Sequence, residues 1–169
     1  MIYTTAYNLA KNLKRLRDDP LSFLLQRVLR LCNPGVKWPV HYTSVIKGQQ
    51  YIHVGQSTSP GICPGCYIVA NEGYPIRIGD NVLISANVVI IAYNYLKHDL
   101  GKPDPRSLNI GVSIGDNCWI GANVVLLPGA KIESNVIIGA GSVVTRGSYQ
   151  SYGVYAGNPA RLMRRTVPE

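Results

Sequence analysis

Acidic side chains are scarce in this chain. Nine Asp and Glu stand against seventeen Lys and Arg, for a formal net charge of +8 over 169 residues. That balance suits a polyanionic partner: a nucleic acid, an anionic membrane surface or a phosphorylated small molecule. Phe and Trp are also few, at one and two, and the basic residues are not interleaved with stacking aromatics, which argues against nucleic acid. Four cysteines are too few for a disulfide scaffold, and Cys32 and Cys118 have no close partner, so free thiols in a reducing compartment are expected. No stretch reaches the ~20 apolar residues of a membrane span, and the first residues lack the unbroken apolar run of a signal peptide. The expectation is a soluble, cytoplasmic, single-domain protein with a sizeable core.

What the chain does have is a period. Ile114, Ile120, Leu126, Ile132, Ile138 and Val144 recur every sixth residue, and Ile78, Ile84 and Ile90 form an earlier train at the same spacing. Four residues after these anchors the side chains are small or β-branched, as at Val82, Cys118, Val124 and Ser142. A helix would place apolar residues at 3, 4 and 7, whereas six is a multiple of the strand period. The intervening Gly, Asn and Asp supply turns, some at positive φ. The pattern predicts a solenoid of parallel strands, each hexad one flat face, with anchors inward and coils roughly 4.8 Å apart.

Extending the register back to Ile62 and Ile68 makes "ICPGCY" a hexad. Cys66 then takes the small buried slot that Cys118 takes in "IGDNCW", and Cys63 faces outward. With no second Cys-x-x-Cys and no His at finger spacing, "CPGC" reads as packing rather than as metal or redox chemistry.

The stretches "YPIRIGDN" (74–81), "IGDNCWIGANVVLLPGA" (114–130), "IGAGSVVT" (138–145) and "YAGNPARLMRR" (155–165) resemble the hexapeptide-repeat acyltransferases, most closely the maltose, galactoside and polysaccharide O-acetyltransferase branch. The resemblance implies a mainly β fold, a left-handed parallel β-helix; ordinary crossover rules favour the other hand. The expected organisation is an N-terminal helical segment at 1–35, the β-helix at 36–157 with an extended loop at 92–111, and a C-terminal tail helix at 158–169. The resemblance further implies a homotrimer with acetyl-CoA bound between neighbouring prisms, and no metal. A trimer also suits the broad flat faces of such a prism.

The long loop interrupts the repeat after Ile90, and long loops on rigid scaffolds are disproportionately functional. In the resembled family it carries a catalytic His. Straight counting puts Tyr95 at that position, and the insertion of "YLK" after Asn94 moves it to His98, followed by Asp99. His98 is the preferred general base, because a phenol with pKa near 10 is a poor base at neutral pH; Tyr95 is the alternative. By resemblance Ser85 contributes a backbone donor to the developing oxyanion, Ala122 and Ala140 line the pantetheine arm, and Thr145, Arg146, Arg161 and Arg164 reach its phosphates. Arginine suits phosphate through its fixed, always-charged fork. Asn94, Asp99 and Trp119 fall on the acceptor side, and Trp119 reads equally as a packing aromatic at a subunit seam.

His41 and His53 lie in apparent early strands without ligand spacing and read as partly buried strand residues; this also argues against the zinc-dependent branch of the same fold. The implied activity is direct acetyl transfer from acetyl-CoA to the hydroxyl of a sugar or polysaccharide precursor. A catalytically silent binding or assembly module and an N-acetyltransferase of an amino nucleotide sugar stay open as alternatives.

Residues 4–31 contain no hexads. Leu9, Leu13 and Leu16 share a helical face, and Asp19 with Pro20 opens a second helix running to the "NPG" stop. These helices either cap the open end of the solenoid or rest on an anionic bilayer; the absence of a lipidation motif favours capping.

Overall fold

The computed structural model describes residues 19–96, 99–103 and 110–166. Its corners follow from backbone sterics. Three residues after seven of the nine anchors the chain passes through the left-handed region: Asn81, Asn87, Asn117, Asn123 and Asn135 at φ 54–60°, Gly129 at 85° and Gly141 at 71°. Gly and Asn enter this region at the lowest cost, so the repeat writes its own turns.

Short parallel strands run between the corners. The first sheet holds β1 (Val45–Lys47), β3 (Tyr67–Val69), β6 (Val89–Ile91), β11 (Val125–Leu126) and β14 (Val143–Val144). The second holds β2 (Ile52–Val54), β4 (Ile76–Ile78), β9 (Val112–Ile114), β12 (Ala130–Ile132) and β15 (Gly147–Tyr149). The third holds β5 (Leu83–Ile84), β10 (Trp119–Ile120), β13 (Ile137–Ile138), β16 (Gly153–Ala156) and the returning β17 (Arg161–Arg165). The chain visits the sheets in that order, so each coil is one circuit of a three-sided prism. The register stacks like on like: Ile68, Ile90, Leu126 and Val144 on the first face, and Ile84, Ile120 and Ile138 on the third. These anchors are buried, and so are Val82, Val88, Cys118, Val124, Ala130, Val136 and Ser142, each four residues after an anchor whose coil turns a regular corner. Each buried aliphatic contributes about 1.5–3 kcal/mol.

The extended loop leaves between β6 and β9. It contains an antiparallel ribbon of β7 (Tyr95–Leu96) and β8 (Asp99–Pro103).

Four expectations need correction. Ile62 is not an anchor but is 46% exposed, with Gly61 and Val40 buried in its stead. Val54 to Ile68 spans 14 residues where Ile78 to Ile90, in matching register, spans 12, and the surplus throws Ile62 outward. The tail is not helical: Arg161–Arg165 pairs antiparallel with β16. The open edge of the third sheet captures good helix formers by offering unpaired N–H and C=O groups. The second N-terminal helix is shorter than predicted, with an α turn α1 (Pro20–Phe23) and a π turn over Leu24–Val28. Its start is as expected, since the Ser22 N–H donates to Asp19 Oδ1 at 3.1 Å. The first helix, on Leu9, Leu13 and Leu16, lies outside the described residues. Last, His41 sits in a turn segment and His53 faces outward and exposed on β2, so neither is a partly buried strand residue.

Cys66 and Cys118 are buried as the register requires, and Cys63 is half-buried. Burial pushes both buried thiols above the ordinary cysteine value. The Cys66 thiol donates to the Ser85 carbonyl at 3.3 Å, locking one coil to the next. Gly65, at φ 71°, is required because a side chain there would run into Asn87 Oδ1 of the coil below. Among the described residues no three His, Cys, Asp or Glu side chains converge on a metal position.

Candidate functional site

Two edges of the prism gather the candidate residues. Along the edge between the third and first sheets, small residues stack coil on coil: Ser85–Ala86, Gly121–Ala122, Gly139–Ala140 and Ala156–Gly157. The ladder fixes them, with the Asn123 N–H on the Ala86 carbonyl at 3.0 Å and the Gly141 N–H on the Ala122 carbonyl at 2.8 Å. A Cβ on Gly121 would lie 2.7 Å from the Ala140 nitrogen, so only glycine fits there. The N–H groups of Ala122 and Ala140 make no hydrogen bond among the described residues.

This edge opens at its N-terminal end into a groove of about 560 Å³ lined by Ser57, Ile62, Cys63, Leu83, Ser85 and Trp119. Trp119 is half-exposed, and its indole N–H donates to Ser85 Oγ at 3.3 Å, which leaves the serine hydroxyl proton free to donate elsewhere. The Ser85 backbone N–H is spent on the Ile120 carbonyl at 3.0 Å. The backbone-donor role expected of Ser85 therefore has no free N–H behind it; only the hydroxyl can donate. At the other end, Arg161 and Arg164 stand exposed on β17, paired with Ala156 and Val154.

The edge between the first and second sheets carries the loop. Asn94 and Tyr95 are exposed at its root. Tyr95 packs edge-on against Tyr93, with ring centres 5.5 Å apart, and Tyr93 against Tyr74 at 5.7 Å. The hydrogen bond between the two phenols, with partial burial added, pushes Tyr93 up to about 12. Asp99 opens β8, and His98 lies outside the described residues. Two coils further along this edge, the Thr145 N–H donates to Tyr149 Oη at 3.1 Å, and Arg146 is exposed with its stem against Gly129.

In a triangular prism this loop edge faces the middle of the opposite sheet, the third. One chain therefore brings Ser85, Trp119, Ala122, Ala140, Arg161 and Arg164 together and keeps them apart from Asn94, Tyr95, Asp99, Thr145 and Arg146. The outward faces differ as well. The ladders Val45–Tyr67–Val89–Val125–Val143 on the first sheet and Leu83–Trp119–Ile137–Val154 on the third are apolar. The ladder His53–Arg77–Ser113–Lys131–Ser148 on the second is polar and basic. Sequence reasoning missed Leu83, Cys63 and Ser57 as groove residues. Strand parity was the available signal for Leu83, which immediately precedes an anchor and must point outward.

Known proteins resemble this chain in sequence and in fold. Residues 111–146 match the family described as bacterial transferase hexapeptide (six repeats), and residues 65–92 match the hexapeptide repeat of succinyl-transferase. A galactoside O-acetyltransferase of Escherichia coli (strain K12) is 39% identical over 93 residues, which is 55% of this chain and 45% of that relative. The chain thus spans under half the length of this curated relative. The structure of a maltose O-acetyltransferase from Clostridium difficile 630 superposes with a TM-score of 0.55 at 31% identity, covering 74% of this chain and 67% of that one. A galactoside acetyltransferase in complex with coenzyme A superposes with a TM-score of 0.57 at 32% identity, covering 71% and 58%. The fold is the left-handed parallel β-helix, and the chain belongs to the hexapeptide-repeat acyltransferases, in the branch of the maltose, galactoside and polysaccharide O-acetyltransferases.

Proposed function

We propose that the chain is an acetyl-CoA-dependent O-acetyltransferase that acts as a homotrimer on the hydroxyl of a sugar or polysaccharide precursor. The observation that supports it best is the small-residue edge from Ser85 to Gly157, on a chain 32% identical to a galactoside acetyltransferase crystallised with coenzyme A. An extended amide arm laid on that edge meets the unpaired N–H groups of Ala122 and Ala140. Its phosphate end falls near Arg161 and Arg164, and its thioester end near Ser85 and Trp119. Three coil steps make this run roughly 15 Å.

The groups on the loop edge belong to the same reaction only if a neighbouring copy supplies them. Two apolar faces and one polar face on each prism suit that closure: three copies bury the first and third faces and leave the second in water. His98 of one copy then takes the proton from the acceptor hydroxyl, and that oxygen attacks the thioester carbonyl. The tetrahedral oxyanion is met by the Ser85 hydroxyl, and collapse expels the CoA thiolate, which takes up the proton held by His98. Asn94 and Asp99 orient the acceptor, and Thr145 and Arg146 meet the donor from the loop side.

Thiol release from acetyl-CoA over a panel of sugars tests the assignment. His98→Ala should lose about 10²–10⁴-fold in turnover, the range for a general base, and Tyr95→Phe only a few-fold. Turnover that survives His98→Ala removes the base; acetyl-CoA binding without turnover on any acceptor favours a silent binding module, the reading that Tyr95 at the expected histidine position supports. A second measurement tests the shared site. His98→Ala and Trp119→Ala chains, each weak alone, regain activity on mixing, because roughly a quarter of the randomly assembled sites are intact.

A further inference from the structure

The element at the N-terminal end of the prism is built inside out. Ser22 and Gln26 lie one helical turn apart and are both buried. Ser22 Oγ accepts from the Tyr42 N–H at 2.9 Å. Gln26 donates to the Trp38 carbonyl at 3.0 Å and accepts from the Val40 N–H at 3.0 Å. The outward side is apolar: Leu21, Leu24, Val28, Leu29 and Leu31 are 43–70% exposed. Leu21, Leu24 and Val28 follow the helical spacing of a single face. An ordinary helix docked on a core turns its leucines inward, and a contiguous exposed apolar patch marks a contact surface. Capping explains the buried polar side and leaves the leucines without a purpose.

Charge identifies what they meet. Residues 11–31 carry Lys11, Lys14, Arg15, Arg17, Arg27 and Arg30 against Asp18 and Asp19, half of the chain's net +8. We propose that this end of the protein docks on an anionic lipid bilayer. The leucines enter the boundary between headgroups and acyl chains, and the net positive charge of this stretch of sequence draws it to anionic headgroups. A protein partner or a second copy would account for the apolar side chains alone; an anionic surface accounts for both features. No helix among the described residues is long and apolar enough to cross a membrane, so the described contact is peripheral.

Flotation of the full chain with vesicles tests this. One set contains phosphatidylglycerol and phosphatidylethanolamine, the other phosphatidylcholine alone. The wild type should float with the anionic set and not with the neutral one, and its partitioning should weaken as salt rises. Leu24→Glu/Val28→Glu and, separately, Leu29→Ser/Leu31→Ser should each lower partitioning at least tenfold while melting within a few degrees of the wild type. Absence of wild-type flotation, equal binding to neutral vesicles, or full binding by both variants overturns the proposal. So does a wild type that stays unbound while the variants lose oligomeric mass or thermal stability, since a second copy or the chain's own first residues would then cover the face.

Discussion

The regular coils from Val112 to Val144 and the N-terminal end of the prism meet the same backbone demand in different ways. In these coils every strand from β9 to β13 has a strand above and below, and the register places aliphatic on aliphatic. At the N-terminal end β1 has no strand above it among the described residues. There Asn33 Nδ2 donates to the Ser44 carbonyl at 2.8 Å, and Asn33 Oδ1 accepts from the Ile46 N–H at 2.8 Å. Gln26 repeats the device on Trp38 and Val40. A side-chain amide offers one acceptor and paired donors, so a single residue does for an open edge what the next strand would do. Regular coils are closed by a repeated pattern, and the end is closed by individual polar residues at irregular positions.

Breaking the regular half should have the largest effect. Ile120 is fully buried between Ile84 and Ile138. Ile120→Ala should cost about 2–5 kcal/mol, the range for a large-to-small core change, read from the midpoint of denaturant unfolding. Breaking the end should cost less. Asn33→Ala leaves the Ser44 carbonyl and the Ile46 N–H unpaired, at about 1–3 kcal/mol. Hydrogen exchange adds a signature that Ile120→Ala should not share: the Ile46 amide should exchange faster while the amides of β11 and β13 keep their relative protection.

This contrast also explains what could be read from the chain. The anchor train and its Asn and Gly corners are local, periodic and physically forced, so the prism and the buried Cys66 and Cys118 were legible, whereas Ala122 and Ala140 were singled out by family resemblance. The hydrogen bonds of Asn33, Gln26 and Ser22 were not, because they join residues 11 to 20 apart with no repeating interval. The tail failed for a related reason. Its helix-forming residues met an open strand, and tertiary pairing overrode local propensity. The separation of the candidate site onto two edges was unreadable as well, since spacing along the chain does not say which edge a corner occupies until the coils are counted.

Glu133 offers a charged form of the end device near the other terminus. Its carboxylate accepts from the Ser151 N–H at 3.1 Å and from the hydroxyls of Ser148 and Ser151 at 3.2 and 3.3 Å. Chiefly through the Ser151 N–H, these hold its pKa below the ordinary glutamate value. A depressed folded-state pKa contributes stability that is present above the unfolded value and is lost as the pH falls through the folded one. Wild type should therefore exceed Glu133→Gln in stability near neutral pH, and the margin should shrink on acidification below the ordinary glutamate range. The carboxylate is exposed to solvent, so the margin should be smaller than the Asn33→Ala effect. A margin that is flat from neutral to acid pH would show that the ionised form matters no more than the amide.

The smallest effect should come from the residue that spacing alone makes equivalent to Ile120. Ile62 sits six residues before Ile68, as Ile84 sits six before Ile90, yet it lies in the groove with nearly half its surface in water. The surplus residues of the first coil have moved it off the stack, and the interior there is filled by Val40 and Gly61. Ile62→Ala should therefore change stability by less than about 0.5 kcal/mol, as exposed substitutions do. Because the residue type and the substitution match those of Ile120→Ala, the difference between the two measurements isolates burial from side-chain identity. If the two costs came out equal, Ile62 would have to be a true rung of the stack, and the irregular first coil would have to be redrawn as a regular one.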